Sequence, residues 1–251
     1  MAEKKVRVLM ALRRLIAGGL ASAAVVTPAL ADDHAARRKA MVAEILADYR
    51  AHGGTGADPH VMAAMGRVPR HEFVPPQLAE RAYENRPLPI GEDQTISQPY
   101  IVALMTDLAR IRKGSRVLEV GTGSGYQAAI LADMGASVFS IEIVPSLARS
   151  ARERLGRLGY REVEVVTGDG YAGMPSRAPF DAILVTAGAS HVPPALVRQL
   201  APRGRMVIPV GDPWALQHLT LVEKADDGAV SMRRVLPVRF VPLTREPGVP
   251  R

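Results

Sequence analysis

The chain has 251 residues, with 32 lysines and arginines, 25 aspartates and glutamates, and no cysteine. This length suits one large domain or two small ones, and a hydrophobic content of 47% argues against wholesale disorder. The lack of cysteine excludes a disulfide framework, thiolate metal sites and a cysteine nucleophile. The formal net charge of +7 at pH 7 suggests a polyanionic partner, depending on where the charge lies.

Residues 1–31 form a segment unlike the rest of the chain. Basic residues precede an apolar run from Leu15 to Leu30, which ends in Ala29-Leu30-Ala31. This order is typical of a secretory signal, and the run is too short and broken to predict a transmembrane helix. The alternatives are a basic amphipathic extension and a start codon assigned too far upstream.

Most of the net charge belongs to that segment. Residues 1–31 carry +4, which leaves +3 for residues 32–251, where the charges are interspersed. Aromatic residues make up only 4% of the chain, so stacking platforms for single-stranded nucleic acid are scarce. We therefore predict no nucleic-acid partner and no stable membrane association.

The first part of the chain predicts three helices separated by proline-rich turns. The predicted ranges are 34–52, 59–67 and 97–111. In the first range Met41, Ile45 and Leu46 fall on one face. In the third, Ser97 is the expected N-cap, with Pro99 in the first turn.

From Ser115 onward, strands and helices alternate. Apolar strands alternating with helices predict a mostly parallel, Rossmann-like α/β sheet with helices on both faces. The end of the chain predicts an antiparallel hairpin that closes the sheet. The predicted strands are 116–120, 137–143, 163–167, 181–186, 205–210, 216–223 and 230–243, and the helices are 127–134, 146–158 and 194–200.

The most informative stretch is a glycine-rich turn after the first of these strands. Gly121, Gly123 and Gly125 stand at alternate positions before a helix, where backbone can approach a ligand closely. The spacing does not match a nicotinamide dinucleotide fingerprint, because its third glycine position falls on Tyr126. No phosphate-binding loop with the usual lysine is present.

Three acidic residues are expected at the same edge of the sheet. Glu119 precedes the glycine turn, Glu142 ends the next strand, and Asp169 follows the third. The first could receive a ligand ammonium, the second ribose hydroxyls and the third an adenine amino group. Together they indicate S-adenosylmethionine. The alternative is a glycine-rich turn with unrelated surface acids.

The sheet region resembles a class I S-adenosylmethionine-dependent methyltransferase. The motif of base-amino methylation is missing, since 184–189 reads Leu-Val-Thr-Ala-Gly-Ala. The segments around 67–75, 82–83 and 88–100, which include Thr-Ile-Ser-Gln-Pro at 95–99, and Val-Pro-Leu-Thr at 241–244 resemble the protein-L-isoaspartate O-methyltransferases. The resemblance covers about residues 34–244. Residues 1–31 have no counterpart in the usual pattern of this family.

The resemblance implies methyl transfer from S-adenosylmethionine to the free α-carboxylate of isoaspartyl residues, which starts their repair through a succinimide. It implies one domain over 32–251, with a helical substrate lid at 32–114 and a cofactor-binding core and hairpin at 115–251. Ser97 is expected to be the active-site residue, with Thr95 and Ile96 beside the substrate. The cofactor-binding residues are expected to be Glu119, Gly121, Thr122, Gly123, Glu142, Ile143, Asp169, Gly170 and Thr244.

This reaction is expected to need neither a general base nor a metal in the site. An α-carboxyl group has a pKa near 3.5 and is already an anion at pH 7, so no general base and no metal is expected. We expect the Ser97 hydroxyl and the N–H groups at the start of its helix to hold that anion. His71 and His191 have no acidic partner at a readable spacing, and their roles stay open.

Two other functions stay open. One is a methyltransferase that acts on RNA or on a small-molecule carboxylate, and the other is a noncatalytic nucleotide-binding module. We expect a monomer. S-adenosylmethionine is made and used in the cytosol, so we expect a cytoplasmic enzyme, with a periplasmic or exported one as the alternative if 1–31 is a cleaved signal.

Overall fold

A computed structural model describes residues 28–52, 57–212 and 215–245. The chain divides into two compact units, Met1–Asp33 and His34–Arg251. In the first unit only the beginning of helix α1 (Pro28–Ala51) is described. The signal-like interpretation of 1–31 therefore lies mostly outside the described residues. Among those that are described, no helix is long and apolar enough to cross a membrane.

The part of the chain before the main sheet is helical, as predicted, and also contains a small hairpin. Strands β1 and β2 pair antiparallel through a turn at Glu92 and Asp93, both of which have positive φ angles. This hairpin was not predicted, because its prolines indicate turns and its strands are only three and four residues long. The elements are α1, α2 (Pro59–Arg67), 3₁₀ turns Arg70–Phe73 and Pro76–Arg81, β1 (Leu88–Gly91), β2 (Gln94–Ile96) and α3 (Pro99–Leu108).

The main sheet has seven strands in the order β5-β4-β3-β6-β7-β8-β9. The pairs from β5 through β7 are parallel, and β8 and β9 add an antiparallel hairpin, which confirms the predicted fold class. The elements are β3 (Arg116–Val120), α4 (Tyr126–Asp133), β4 (Ser137–Glu142), α5 (Pro145–Arg157), β5 (Glu164–Thr167), a 3₁₀ turn (Pro175–Arg177), β6 (Phe180–Val185), α6 (Pro194–Gln199), β7 (Leu200–Gly211), β8 (Gln217–Lys224) and β9 (Val230–Val238).

Apolar side chains cover both faces of this sheet. Along β3, Val117 packs into one core cluster, whereas Leu118 and Val120 pack into another. Alternate residues of a strand point to opposite faces, so the two clusters lie on opposite sides of the sheet. Because both faces are covered, a ligand can reach the sheet at the carboxyl ends of β3, β4, β5 and β6. Doubly wound sheets bind their ligands at this end of the strands.

Helix α3 begins and ends differently from the prediction. Its N-cap is Gln98 rather than Ser97, because Pro99 occupies the first helical position and holds the residue before it in an extended conformation. The helix ends at Leu108 rather than Ile111. Ser97 therefore precedes the helix and is available for another role.

The last strand is shorter than predicted. It ends at Val238 instead of Leu243, because Gln217 is the first residue of β8 and its side-chain Oε1 accepts the N–H of Phe240. The segment that follows, 239–245, is called the tail segment here. It is held beside β6, where Gly188 accepts the Leu243 N–H and donates its own N–H to Val241 O, both at 2.8 Å.

Candidate active site

The glycine turn between β3 and α4 has the geometry that its sequence requires. Gly121, Gly123 and Gly125 have φ angles of 98°, 51° and 88°, a region that side-chain-bearing residues rarely adopt. A Cβ atom on Gly121 would lie 2.6 Å from Thr186 Oγ1. The turn therefore depends on glycine both for its backbone conformation and for its close approach to the residue after β6.

The carboxyl group of Glu119 is buried behind this turn. The Ser140 hydroxyl donates to Glu119 Oε2 at 2.5 Å, and Thr122 Oγ1 lies 2.5 Å from Ser140 Oγ. The other oxygen, Oε1, has no hydrogen-bond partner among the described residues. Burial raises the pKa of Glu119 to about 8, because the charged form is poorly solvated there. The site thus contains a carboxyl oxygen without a partner.

Glu142 ends β4, and Asp169 lies two residues after the end of β5, at the same edge of the sheet. The two oxygens of Glu142 accept the N–H groups of Gly123 and Val144 at 2.8 and 2.9 Å, which ties the glycine turn to β4. The Asp169 side chain accepts the N–H of Tyr171 at 2.8 Å. Each carboxylate oxygen has a second lone pair, so these contacts leave room for ligand hydroxyl or amino groups.

One cavity brings together nearly all the predicted site residues. Asp169 is the exception, although the next residue, Gly170, is part of the wall. A Cβ atom on Gly170 would lie 2.3 Å from Val120 Cγ1, so only glycine fits there. The predicted residues in this cavity, which is called the cofactor cavity here, are Thr95, Ile96, Ser97, Glu119, Gly121, Thr122, Gly123, Glu142, Ile143, Gly170 and Thr244.

A second cavity, of about 430 Å³, adjoins the first and is called the substrate cavity here. Thr95, Ser97, Thr186 and Val241 line both cavities. The rest of the substrate cavity combines mostly apolar side chains with the polar or charged side chains of Asp48, His52, Gln98 and Arg239. These other lining residues are Asp48, His52, Pro87, Gln98, Tyr100, Ile101, Leu216, Leu236, Pro237, Val238, Arg239 and Phe240. The two cavities therefore meet at Ser97.

The hydrogen-bond donors expected around Ser97 differ from those observed. Pro99 has no N–H group, and the N–H of Tyr100 donates to Asn85 Oδ1 at 3.0 Å. Two of the N–H groups at the start of α3 are therefore unavailable to a substrate anion, because one is missing and the next is engaged, and the anion-holding role of the Ser97 hydroxyl stays a prediction. The half-buried Ser97 remains at the junction, and its carbonyl oxygen accepts a hydrogen bond from Arg70 Nη2 at 2.7 Å.

Several residues at the site were missed by the sequence analysis. Thr186 follows β6 directly, and its hydroxyl lies 2.6 Å from Gly121 O, to which it donates. The sequence already places Thr186 at the carboxyl end of a predicted strand, where ligand-binding residues are expected. Arg70 and Tyr126 had no comparable signal, since an arginine in a proline-rich turn is ordinarily exposed.

The two histidines that were left open lie away from both cavities. His71 stacks on His34 with ring centroids 3.9 Å apart, and its Nδ1 lies 2.7 Å from Tyr83 Oη. Burial lowers the pKa of His71. His191 contacts Ser190 and Tyr171. Over the described ranges, no group of three or more histidine, aspartate or glutamate side chains could hold a metal ion.

Comparisons with known proteins bear on this arrangement. A family model described as protein-L-isoaspartate(D-aspartate) O-methyltransferase matches residues 40–248. The chain belongs to this family. It is 60% identical over 218 residues to protein-L-isoaspartate O-methyltransferase 1 of Cupriavidus necator, covering 85% of this chain and 84% of that protein. It is 53% identical to the Nitrosospira multiformis protein of the same name, covering 90% and 94% of the two chains.

Solved structures of relatives have the same fold. One protein-L-isoaspartate O-methyltransferase matches with a TM-score of 0.71 at 31% identity, over 82% of this chain and 65% of that longer one. A second, from Plasmodium falciparum, matches with a TM-score of 0.67 at 26% identity, over 81% and 98% of the two chains. The second was solved in complex with S-adenosyl-L-homocysteine.

Proposed function

We propose that this chain transfers a methyl group from S-adenosylmethionine to the free α-carboxylate of L-isoaspartyl residues in damaged proteins and peptides. The observation that carries the proposal is the meeting of two cavities at Ser97 in a chain of this family. The ester carries a better leaving group than the carboxylate does, so the backbone nitrogen of the next residue attacks the ester carbonyl, releases methanol and forms a succinimide. Water then opens the succinimide, partly to normal aspartate. The enzyme would thereby start a repair cycle.

The cofactor cavity fits S-adenosylmethionine in its polar groups. The unpartnered Glu119 Oε1 can accept the ammonium of the methionine part, and Glu142 can accept ribose hydroxyls. Asp169 lies beside the wall residue Gly170 and is assigned to the adenine amino group. Bound S-adenosylmethionine supplies the methyl group. Gly121, Thr122, Gly123, Ile143, Gly170 and Thr244 would shape the wall around it.

The substrate side needs positioning more than acid–base chemistry. An α-carboxylate is already ionised at pH 7, so Ser97 has only to donate a hydrogen bond and hold the nucleophilic oxygen in place. Thr95 and Ile96 line the same junction and would confine the isoaspartyl side chain. The apolar substrate cavity would take neighbouring parts of the damaged peptide. We assign 32–114 as the substrate lid and 115–251 as the cofactor-binding core and hairpin.

We also propose a cytoplasmic monomer that acts without a metal, a nucleic acid or a membrane. The support for the compartment is the cytosolic supply of S-adenosylmethionine. Cell fractionation and N-terminal sequencing of the mature protein test it. A protein that begins at Asp32 in an envelope fraction would show instead that residues 1–31 are a cleaved signal.

The deciding experiment compares two peptides that differ only in one linkage, isoaspartyl in one and normal aspartyl in the other. Wild-type enzyme with S-adenosylmethionine is expected to produce an alkali-labile methyl ester on the isoaspartyl peptide alone. A bulk RNA substrate serves as the control and should receive no methyl group. Equal labelling of both peptides, or labelling of RNA only, would contradict the proposal.

A further inference from the structure

Arg70 is a buried cation behind the junction of the two cavities. It is the one arginine or lysine that is fully buried among the residues that the structure describes. Burial lowers the pKa of its guanidinium only to about 10, so the group is charged at neutral pH. It forms no ion pair with a described carboxylate. Burying a charge without a counter-ion is costly, so its presence needs a reason.

The contacts of Arg70 reach both halves of the site. Its Nε donates to Ala82 O at 2.8 Å, and its Nη2 donates to Ser97 O at 2.7 Å. The guanidinium carbon lies 4.8 Å from the centroid of the Tyr126 ring, at the start of α4 behind the glycine turn. Its Nη1 is buried and has no hydrogen-bond partner among the described residues. Two carbonyl dipoles and an aromatic face thus compensate only part of the charge.

These contacts define two separate effects on the reaction. The hydrogen bond to the Ser97 carbonyl fixes the backbone from which the Ser97 hydroxyl extends into the junction. The positive charge lies next to the Ser97 backbone and outside both cavities, and it attracts an anion held by that hydroxyl. Methyl transfer converts the carboxylate into a neutral ester. The attraction is therefore strongest for the bound substrate and weakens as the ester forms, so it lowers KM rather than raising kcat.

We propose that Arg70 is a positioning residue for the methyl transfer, which anchors the Ser97 carbonyl and provides a positive charge behind the bound isoaspartyl carboxylate. This inference rests on the proposed function. A purely structural arginine would instead affect stability and all kinetic constants together.

Three variants separate the two effects. Arg70→Lys keeps the charge but lacks the planar fork that reaches two carbonyl oxygens. Arg70→Gln keeps an amide donor without charge, and Arg70→Met keeps neither. We expect kcat to fall about tenfold in all three, and KM for the isoaspartyl peptide to rise about tenfold in the Gln and Met variants alone. The Lys variant should keep KM within about threefold of the wild type.

Two controls accompany these assays. The affinity for S-adenosylmethionine, measured by calorimetry, should stay within about threefold in every folded variant, because Arg70 does not line the cofactor cavity and reaches it only through the Tyr126 ring. Arg67→Met removes an exposed arginine that lies three positions before Arg70 in the chain and pairs with Asp133 at 2.6 Å. It should leave kcat and KM unchanged. Melting temperatures identify the folded variants.

The outcomes are distinct. If the wild type forms no ester on the isoaspartyl peptide, the proposed function fails and this role fails with it. If the wild type is active and all variants keep its kcat, the anchoring role is wrong. Equal KM values for the Lys variant and the neutral variants would overturn the charge effect. Should neither neutral variant fold, Arg70→Lys decides: reduced kcat at unchanged KM supports the role, and wild-type kcat contradicts it.

Discussion

Glu119 shows how one buried side chain can couple ligand binding to proton release. Its carboxyl group is fully buried, with one oxygen bonded to Ser140 and the other without a partner in the described structure. Its raised pKa means that it is mostly protonated at pH 7. A cationic ligand favours the ionised form, so binding and deprotonation should occur together.

Calorimetry of S-adenosylmethionine binding tests this coupling. At pH 7, wild-type enzyme is expected to release a proton from Glu119, seen as a binding enthalpy that depends on the ionisation enthalpy of the buffer. The ligand amine also titrates, so Glu119→Gln is the reference, and it should bind more weakly and release fewer protons. Identical buffer dependence in both proteins would show that Glu119 does not ionise on binding.

The same pKa has a consequence for stability without ligand. The folded protein holds this proton up to about pH 8, whereas an unfolded glutamate loses it near the ordinary pKa of 4.5. The contribution of Glu119 to the free energy of unfolding therefore decreases as pH rises between those values. Denaturant titrations should show a smaller decrease over this range in Glu119→Gln. An equal pH dependence in both proteins would contradict the pKa.

At Ser97, substitution should separate turnover from cofactor binding. Ser97→Ala removes the hydroxyl at the junction of the cavities and is expected to lower kcat for the isoaspartyl peptide about tenfold or more, because we propose that this hydroxyl holds the nucleophile. Its affinity for S-adenosylmethionine should change much less. Unchanged turnover would mean that Ser97 has no role in the reaction.

At the scale of the elements, the end of β3 and the loop after β5 meet too closely to accept a larger residue at Gly170. Gly170→Ala would push a methyl group against Val120, which also lines the cofactor cavity. We expect the free energy of unfolding to fall by about 1–3 kcal/mol, as for other overpacked sites, and S-adenosylmethionine to bind more weakly. Gly156→Ala, in helix α5, is the matched control, because a Cβ atom at Gly156 would have no other atom within 4 Å. This substitution should be neutral or stabilising. Equal stability of the two variants would contradict this packing argument.

The elements also show where sequence reasoning works and where it stops. The parallel strands β3 to β7 were predicted because buried parallel strands are continuous apolar runs, a pattern that is visible in the local sequence. The end of β9 was misplaced because it depends on the Gln217 side chain, more than twenty residues away. The burial of Arg70 depends on Ala82, Ser97 and Tyr126 together, and no local pattern encodes such a contact.

At the scale of the whole molecule, the placement of Glu119, Glu142 and Asp169 near one edge could be anticipated because the topology of a parallel sheet brings the carboxyl ends of its strands to the same edge. The substrate cavity could not, since its walls come from α1, β2, α3, β9 and the tail segment. Elements that are distant in the sequence form it only after the chain has folded.

The division of the chain at Asp33 allows a test of the first segment. A protein shortened to begin at Asp32 is expected to keep kcat for the isoaspartyl peptide and its melting temperature, because the residues of both cavities begin at Asp48. The full-length chain is the control. A loss of folding or of turnover in the shortened protein would show that residues 1–31 contribute to the enzyme itself.

The two cavities adjoin each other and share four lining residues, Thr95, Ser97, Thr186 and Val241. One synthetic molecule could therefore occupy both at once, with an adenosine portion joined by a short linker to an isoaspartyl peptide. Such a bisubstrate inhibitor would gain from the high effective concentration of its second half once the first is bound. The linker length that gives the tightest binding would also indicate the distance between the two binding positions on either side of Ser97.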